Sequence, residues 1–139
     1  MLGSVDCMHW QWKNCPVAWM RSYTSGHKGT HPTVILEAVA DNRLWICHAY
    51  FGVSSSNNDV NVLNHSDFFS GVLNDKAPAI NFIANNHQYK MGYYLADDIY
   101  PKWSTFVKTF NRHANEKQVL FAQKQEAARK DVERAFGVL

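Results

Sequence analysis

The sequence predicts one mixed α/β domain, and three observations carry that prediction. Apolar runs rich in β-branched and aromatic residues at 2–10, 33–39, 44–53 and 89–96 read as strands, whereas apolar positions within 60–72 and 115–138 recur at helical spacing. The order is strand, hairpin, helix, strand, long helix, which is the pattern of a sheet with helical crossovers. The 139 residues are 46% apolar and 14% aromatic with 7 Gly and 4 Pro, so a modest core can form and disorder, collagen and coiled coil are excluded.

Leu2 to Trp10 is short and mostly apolar, and reads as a strand that delivers Asp6. Residues 11 to 32 show no clean period and contain Pro16, Gly26, Gly29 and Pro32; they are expected to be a long connection with a short strand at Ala18 to Tyr23. Thr33–Val39 and Leu44–Val53, joined by Ala40-Asp41-Asn42-Arg43, read as a hairpin. After the polar turn 54–58, Val60, Leu63, Phe68 or Phe69, and Val72 predict a helix, with Asp59 at its N-cap or in its first turn. Tyr89 to Ala96 reads as another strand, ended by Asp97-Asp98-Ile99-Tyr100-Pro101, and one long helix is expected from Asn115 to Val138. On that helix Arg129 and Glu133 stand one turn apart.

A formal net charge of +2 hides an uneven distribution: residues 1–40 carry +1, residues 41–101 carry −3 and residues 102–139 carry +4. An acidic middle beside a basic tail suits a metal-binding centre flanked by cationic surface, and equally a solvated basic helix. Neither a membrane span nor a secretory signal is visible, and three cysteines without a C-x-x-C spacing fit a reducing compartment, so a soluble intracellular protein is expected.

Magnesium and manganese take oxygen ligands, so acids gathered from distant elements are the signature of such a site. Asp6 inside an apolar strand is the most telling, because an ionised carboxylate in a central strand is costly unless it is paired or metal-bound; the alternative is an edge strand with Asp6 in water. Asp97 closes a strand and Glu133 lies late on the last helix, where each alone also fits a turn cap or a solvated acid. Asp59 alone reads as a helix cap. A separate set, Cys7, Cys15, His27 and His31, has a histidine half suited to zinc and a cysteine half too widely spaced for a ββα finger. His48, alternating with apolar neighbours, reads as a structural histidine. No phosphate loop, nucleophile elbow or dinucleotide fingerprint is present.

Several stretches resemble the transposase nuclease domain of the PIF/Harbinger superfamily, especially plant transposon proteins. They are 3–10 (GSVDCMHW), 23–29 (YTSGHKG), 33–39 (TVILEAV), Phe51-Gly52, 56–63 (SNNDVNVL), 93–97 (YYLAD) with Tyr100-Pro101, and 129–139 (RKDVERAFGVL), and together they follow nearly the whole chain in order. The resemblance implies an RNase H-like fold, a mixed five-stranded sheet flanked by helices, with a DDE-type acidic site. Asp6, Asp97 and Glu133 match its catalytic acids, and Asp59 a further acid of the motif. All four are thereby expected to hold Mg2+ or Mn2+, with Arg129 auxiliary.

The implied activity is metal-dependent cleavage and joining of DNA in the nucleus. The expected partners are DNA, a separate DNA-binding protein and a second copy of the chain, with no membrane. Family members carry a small residue where Asp98 and Ile99 stand. The resemblance also implies an upstream helical DNA-binding region and a longer last helix, so a partial domain, truncated at both ends, is expected. Two other functions fit the sequence: a catalytically silent, domesticated interaction module, and a small zinc-binding DNA module built on the cysteine and histidine set.

Overall fold

In the computed structural model, residues 1–26, 29–74, 79–109 and 115–139 are described. They form a mixed α/β domain around a five-stranded sheet, together with a separate two-stranded hairpin. Strand β1 (Gly3–Gln11) is central, flanked on one side by β2 (Thr33–Ala40) and then β3 (Ile46–Ser54). On its other side lie two short strands, β6 (Tyr94–Leu95) and β7 (Phe106–Val107). β1, β2 and β3 are antiparallel, whereas β6 runs parallel to β1 and β7 parallel to β6. The expected hairpin is therefore present. β1 has a neighbour on each side at Gly3 and Ser4, so the strand as a whole is not an edge, but Asp6 lies just beyond its pairing with β6 and is partly exposed.

Side-chain alternation assigns β1 and β2 residues to two faces. Val5 and Val39 pack with Leu63, Phe69, Tyr94, Ala96, Tyr100 and Phe106 on one face. Ala38 and Ala40 pack with Val132 and Ala135 on the other, which is the face that carries Asp6, the cross-strand partner of Ala38. At Gly3 a side chain would collide with the Ala40 carbonyl, so glycine lets β1 and β2 approach there.

Four local expectations are corrected. The segment 18–23 is not a strand but helix α1 (Val17–Tyr23): Pro16 presets the backbone ahead of the first turn, and Trp19 and Tyr23, four apart, stack with centroids 6.3 Å apart. The helix over 60–72 is two, α2 (Asp59–His65) and α3 (Asp67–Leu73), because Ser66 turns extended at ψ 122° while its N–H still bonds the Val62 and Leu63 carbonyls.

The strand at 89–96 is divided as well. Its first part belongs to a hairpin of β4 (Ala79–Ala84) and β5 (His87–Met91), closed by Asn85 and Asn86 at positive φ. Its second part, β6, begins after Gly92, where any side chain would overlap Leu2. The last helix is also two, α4 (Glu116–Arg129) and α5 (Asp131–Phe136), meeting at Lys130, and α5 seats Val132 and Ala135 on the alanines of β2.

Candidate metal centre

The centre arises where β1 and β6 part. They pair only at Gly3 with Tyr94 and Ser4 with Leu95. Beyond that point no strand among the described residues pairs with this edge of β1, and the Cys7 N–H donates instead to Asp6 Oδ1 at 2.8 Å. Asp97, just beyond β6, behaves in the same way: its Oδ1 accepts the N–H of Asp98 at 2.7 Å. Continued by two residues, the parallel register sets Asp6 level with Asp97 across the widening gap. A carboxylate at the carboxyl end of each of two diverging parallel strands is a common foundation for a site in such sheets.

Helix α4 closes the gap from one face. The Gln125 side-chain amide donates to the Ala96 and Val107 carbonyls, at 3.3 and 3.1 Å, which fixes the helix across β6 and β7. One turn later Arg129 is inserted among the acids with its side chain 11% exposed. A single nitrogen, Nη1, lies 3.8 Å from Asp6 Oδ2 and 3.4 Å from Glu133 Oε1, while Nη2 lies 3.4 Å from Glu126 Oε2. Asp6 and Glu133, distant in the chain, are thus brought together on one guanidinium.

Burial pushes the Asp6 pKa up to about 6, with Glu133 and Asp59 adding to the rise and the Cys7 N–H and Arg129 opposing it. For Arg129, burial works against the charge, but Asp97, Glu126 and Asp6 more than offset it and hold its pKa above the ordinary value. The centre is therefore a partly dry concentration of negative charge built around one internal cation.

Asp59 stands apart from this group. Asn58, not Asp59, caps α2, its side chain accepting the Asn61 N–H at 2.8 Å, so the cap reading is corrected and Asp59 occupies the first turn. Its Oδ1 is 3.9 Å from His9 Nε2, and its charge is felt by Asp6, Cys7 and Glu37. Asp98 turns away from the centre toward Lys108, 3.6 Å distant, whose ammonium also donates to the Asp98 and Tyr100 carbonyls.

As the side chains stand, among the described residues no three His, Cys, Asp or Glu lie close enough to one another to hold a metal ion. The chemistry of the donors nevertheless suits a hard divalent cation, since they are carboxylates, and Glu133 and Asp59 add to the rise that burial imposes on the Asp6 pKa.

Among the described residues Cys7, Cys15 and His31 do not gather as a zinc set. Cys7 Sγ faces the Tyr100 hydroxyl at 3.5 Å, Cys15 Sγ the Pro16 carbonyl at 3.6 Å and His31 the Thr30 hydroxyl at 3.2 Å, while His27 lies outside the described residues. Burial also pushes the Cys7 thiol well above its ordinary pKa, opposite to what a metal thiolate needs.

Two features escaped sequence reasoning. Glu126 shares Arg129 with the predicted acids, a contact legible in its i, i+3 spacing. Glu37 is fully buried on β2, with His48 Nε2 3.7 Å from its carboxylate. His48 also meets the Ser66 hydroxyl at 3.1 Å and stacks on Phe68, so it is structural, as its alternation predicts. The signal for Glu37 was one acid in a run of otherwise apolar strand residues.

No helix among the described residues is long and apolar enough to cross a membrane. In comparisons with known proteins, no curated protein and no solved structure matches the chain. The family model described as plant transposon protein does match, over residues 1–139, a span that holds both the diverging strands and the Arg129 helix. The chain belongs to the plant transposon protein family.

Proposed function

We propose that this domain is a divalent-metal-dependent DNA nuclease of the PIF/Harbinger DDE transposase type, on an RNase H-like fold, working in the nucleus where its substrate is. The observation that carries the reading is the meeting of Asp6 and Glu133 on one nitrogen of Arg129, with Asp97 level with Asp6 on the adjoining strand path. Asp6, Asp97 and Glu133 would hold Mg2+ or Mn2+, Asp6 as the shared ligand, with Asp59 supporting from the opposite face. Such ions, if bound there, would supply activation of a water or 3′ hydroxyl and stabilisation of the leaving oxygen in an in-line phosphodiester displacement.

The chain's own residues supply the rest. The Cys7 and Asp98 N–H groups each fix one oxygen of the flanking aspartates, and the second oxygen of Asp6 faces Arg129. Arg129 orients Glu133 across the junction of α4 and α5, and its buried charge suits a phosphate oxygen. Lys and Arg contacts to the DNA backbone set position without reading bases, so target choice falls to a separate DNA-binding protein, and paired DNA ends to a second copy of the chain.

The test is nicking of supercoiled plasmid by the purified chain with Mn2+ or Mg2+, against Asp6→Asn and Glu133→Gln. Metal-dependent nicking lost in both variants supports the reading; a folded chain that leaves the plasmid intact at every metal concentration contradicts it. That second outcome supports a catalytically silent interaction module, which the absence of three gathered metal donors among the described residues favours.

A further inference from the structure

Asp6 shares its face of β1 with Met8 and Trp10, and along that row the cover changes. Helix α5 packs on Ala38 and Ala40, near Asp6, but the other end of the face, with Val34, Leu36 and Trp10, extends beyond those contacts. A groove of about 510 Å³ lies there, lined by Trp10, Gln11, Trp12, Tyr23, Val34 and Phe51. This size is within the roughly 300–1,000 Å³ range of small-ligand sites.

Its aromatic wall is braced. Tyr23 donates from its hydroxyl to the Gly52 carbonyl at 3.4 Å, and Trp12 meets Tyr23 and Trp19 edge-on, with centroids 5.1 and 5.9 Å away. Trp10 and Phe51 nevertheless remain 46% and 61% exposed.

The segment that supplies Trp10, Gln11, Trp12, Tyr23 and Val34 to the groove carries charge of one sign in its sequence. Between Asp6 and Glu37 the sequence contains three Lys or Arg and no Asp or Glu, and of these Lys13 and Arg21 are exposed beside α1. Rigid aromatic faces on a chain segment whose only formal charges are cationic suit a ligand with flat apolar rings on an anionic backbone. Trp10 lies four residues from Asp6, about 13 Å along the strand, which a few nucleotides cover.

We infer that this groove binds unpaired nucleotides of a DNA strand, stacking bases on Trp10 and Phe51 while the strand's phosphates continue toward Asp6. Gln11 offers an amide donor and acceptor to a base edge. The assignment deepens the nuclease reading and takes from it the identity of the strand.

The test is binding of a single-stranded oligothymidylate of about twelve nucleotides, followed by tryptophan fluorescence and anisotropy without divalent metal. The comparisons are an abasic oligomer with the same number of phosphates and a duplex of the same length. Binding of the oligothymidylate is expected to be about tenfold or more tighter than that of the abasic oligomer, and Phe51→Ala and Trp10→Ala are each expected to lose about tenfold. Phe51→Ala removes a mostly exposed ring and retains the fold by circular dichroism; it is also expected to leave Mn2+ affinity unchanged.

Equal binding of abasic and base-bearing strands, no binding of either, or undiminished binding by Phe51→Ala overturns the groove assignment. So does a sedimentation shift showing that Phe51 seals a contact between two copies of the chain. Base-dependent binding by a chain that takes up no Mn2+ refutes the nuclease reading alone, and Mn2+ uptake with no base dependence refutes the groove alone.

Discussion

Two buried acids on opposite faces of the same sheet meet different fates. Asp6 and Glu37 occupy neighbouring central strands, and burial raises the pKa of both. Glu37 is sealed beneath α2 and α3, where its neighbours are a histidine, a serine and an aromatic ring. Asp6 lies where two strands diverge, keeps 18% of its side chain in solvent and faces an arginine shared with two further acids. Burial alone therefore does not make a site. Access, a fixed backbone donor and converging like charges separate the functional candidate from the core polar cluster.

The largest expected effect is at Asp6. Replacing it by Asn is expected to weaken Mn2+ binding by about 100-fold or more, since even residues that only support metal ligands are worth 10- to 100-fold. The same change is expected to stabilise the metal-free chain at pH 7 by up to about 3 kcal/mol, because a carboxyl with a folded pKa near 6 is ionised there against its environment. Urea denaturation checks the sign. A variant that loses stability and keeps its metal would place Asp6 in the same category as a core acid.

Arg129→Met comes next. Removing the shared cation from Asp6, Glu126 and Glu133 is expected to destabilise the metal-free chain by about 2 kcal/mol, below the range for a fully buried pair because Glu126 and Glu133 are partly exposed. Mn2+ is expected to restore most of that loss by supplying charge in its place, measured as a metal-dependent rise in the urea midpoint. The same metal addition without any rise would show that the acids do not share a cation position.

Glu37 sharpens the contrast from the other side. Its pKa is raised chiefly by burial, with Ser66 opposing and Asp59 adding, so the protonated form is favoured in the fold. Its contribution is fully present below the ordinary carboxylate pKa and is lost as pH rises through the folded value. His48 acts in the opposite sense: burial lowers its pKa, so its contribution falls as pH drops through the ordinary histidine range. Glu37→Gln is expected to remove the alkaline-going loss, leave the histidine limb and leave Mn2+ affinity unchanged. The smallest effect is at Asn58→Ala, expected to cost about 1 kcal/mol through the lost cap of α2, with Asp59 in place.

How much of this was legible varies with how local the cause is. The β2–β3 hairpin is legible because Val34, Ile35, Leu36 and Val39 are β-branched or apolar throughout. The Arg129–Glu133 pair follows from helical spacing. By contrast, α1 resembles a strand in sequence because Trp19 and Tyr23 look apolar at any period, and no local pattern marks β4 with its Asn85-Asn86 turn. That Asp6 lies level with Asp97 follows from a two-residue parallel contact that no local pattern encodes, and the expectation that the two act together comes from family resemblance, not from periodicity. The aromatic groove joins Trp10, Tyr23 and Phe51 from three separate elements and is tertiary in origin.

The central claim is that Asp6, Asp97 and Glu133 grip common cations. Calorimetric titration of Mn2+ into the wild type and into Asp6→Asn, Asp97→Asn, Glu133→Gln and Asp98→Asn tests it most directly. Affinity is expected to fall at least tenfold in the first three variants and to hold in Asp98→Asn, whose side chain is engaged by Lys108. One affinity common to all five proteins would contradict the account.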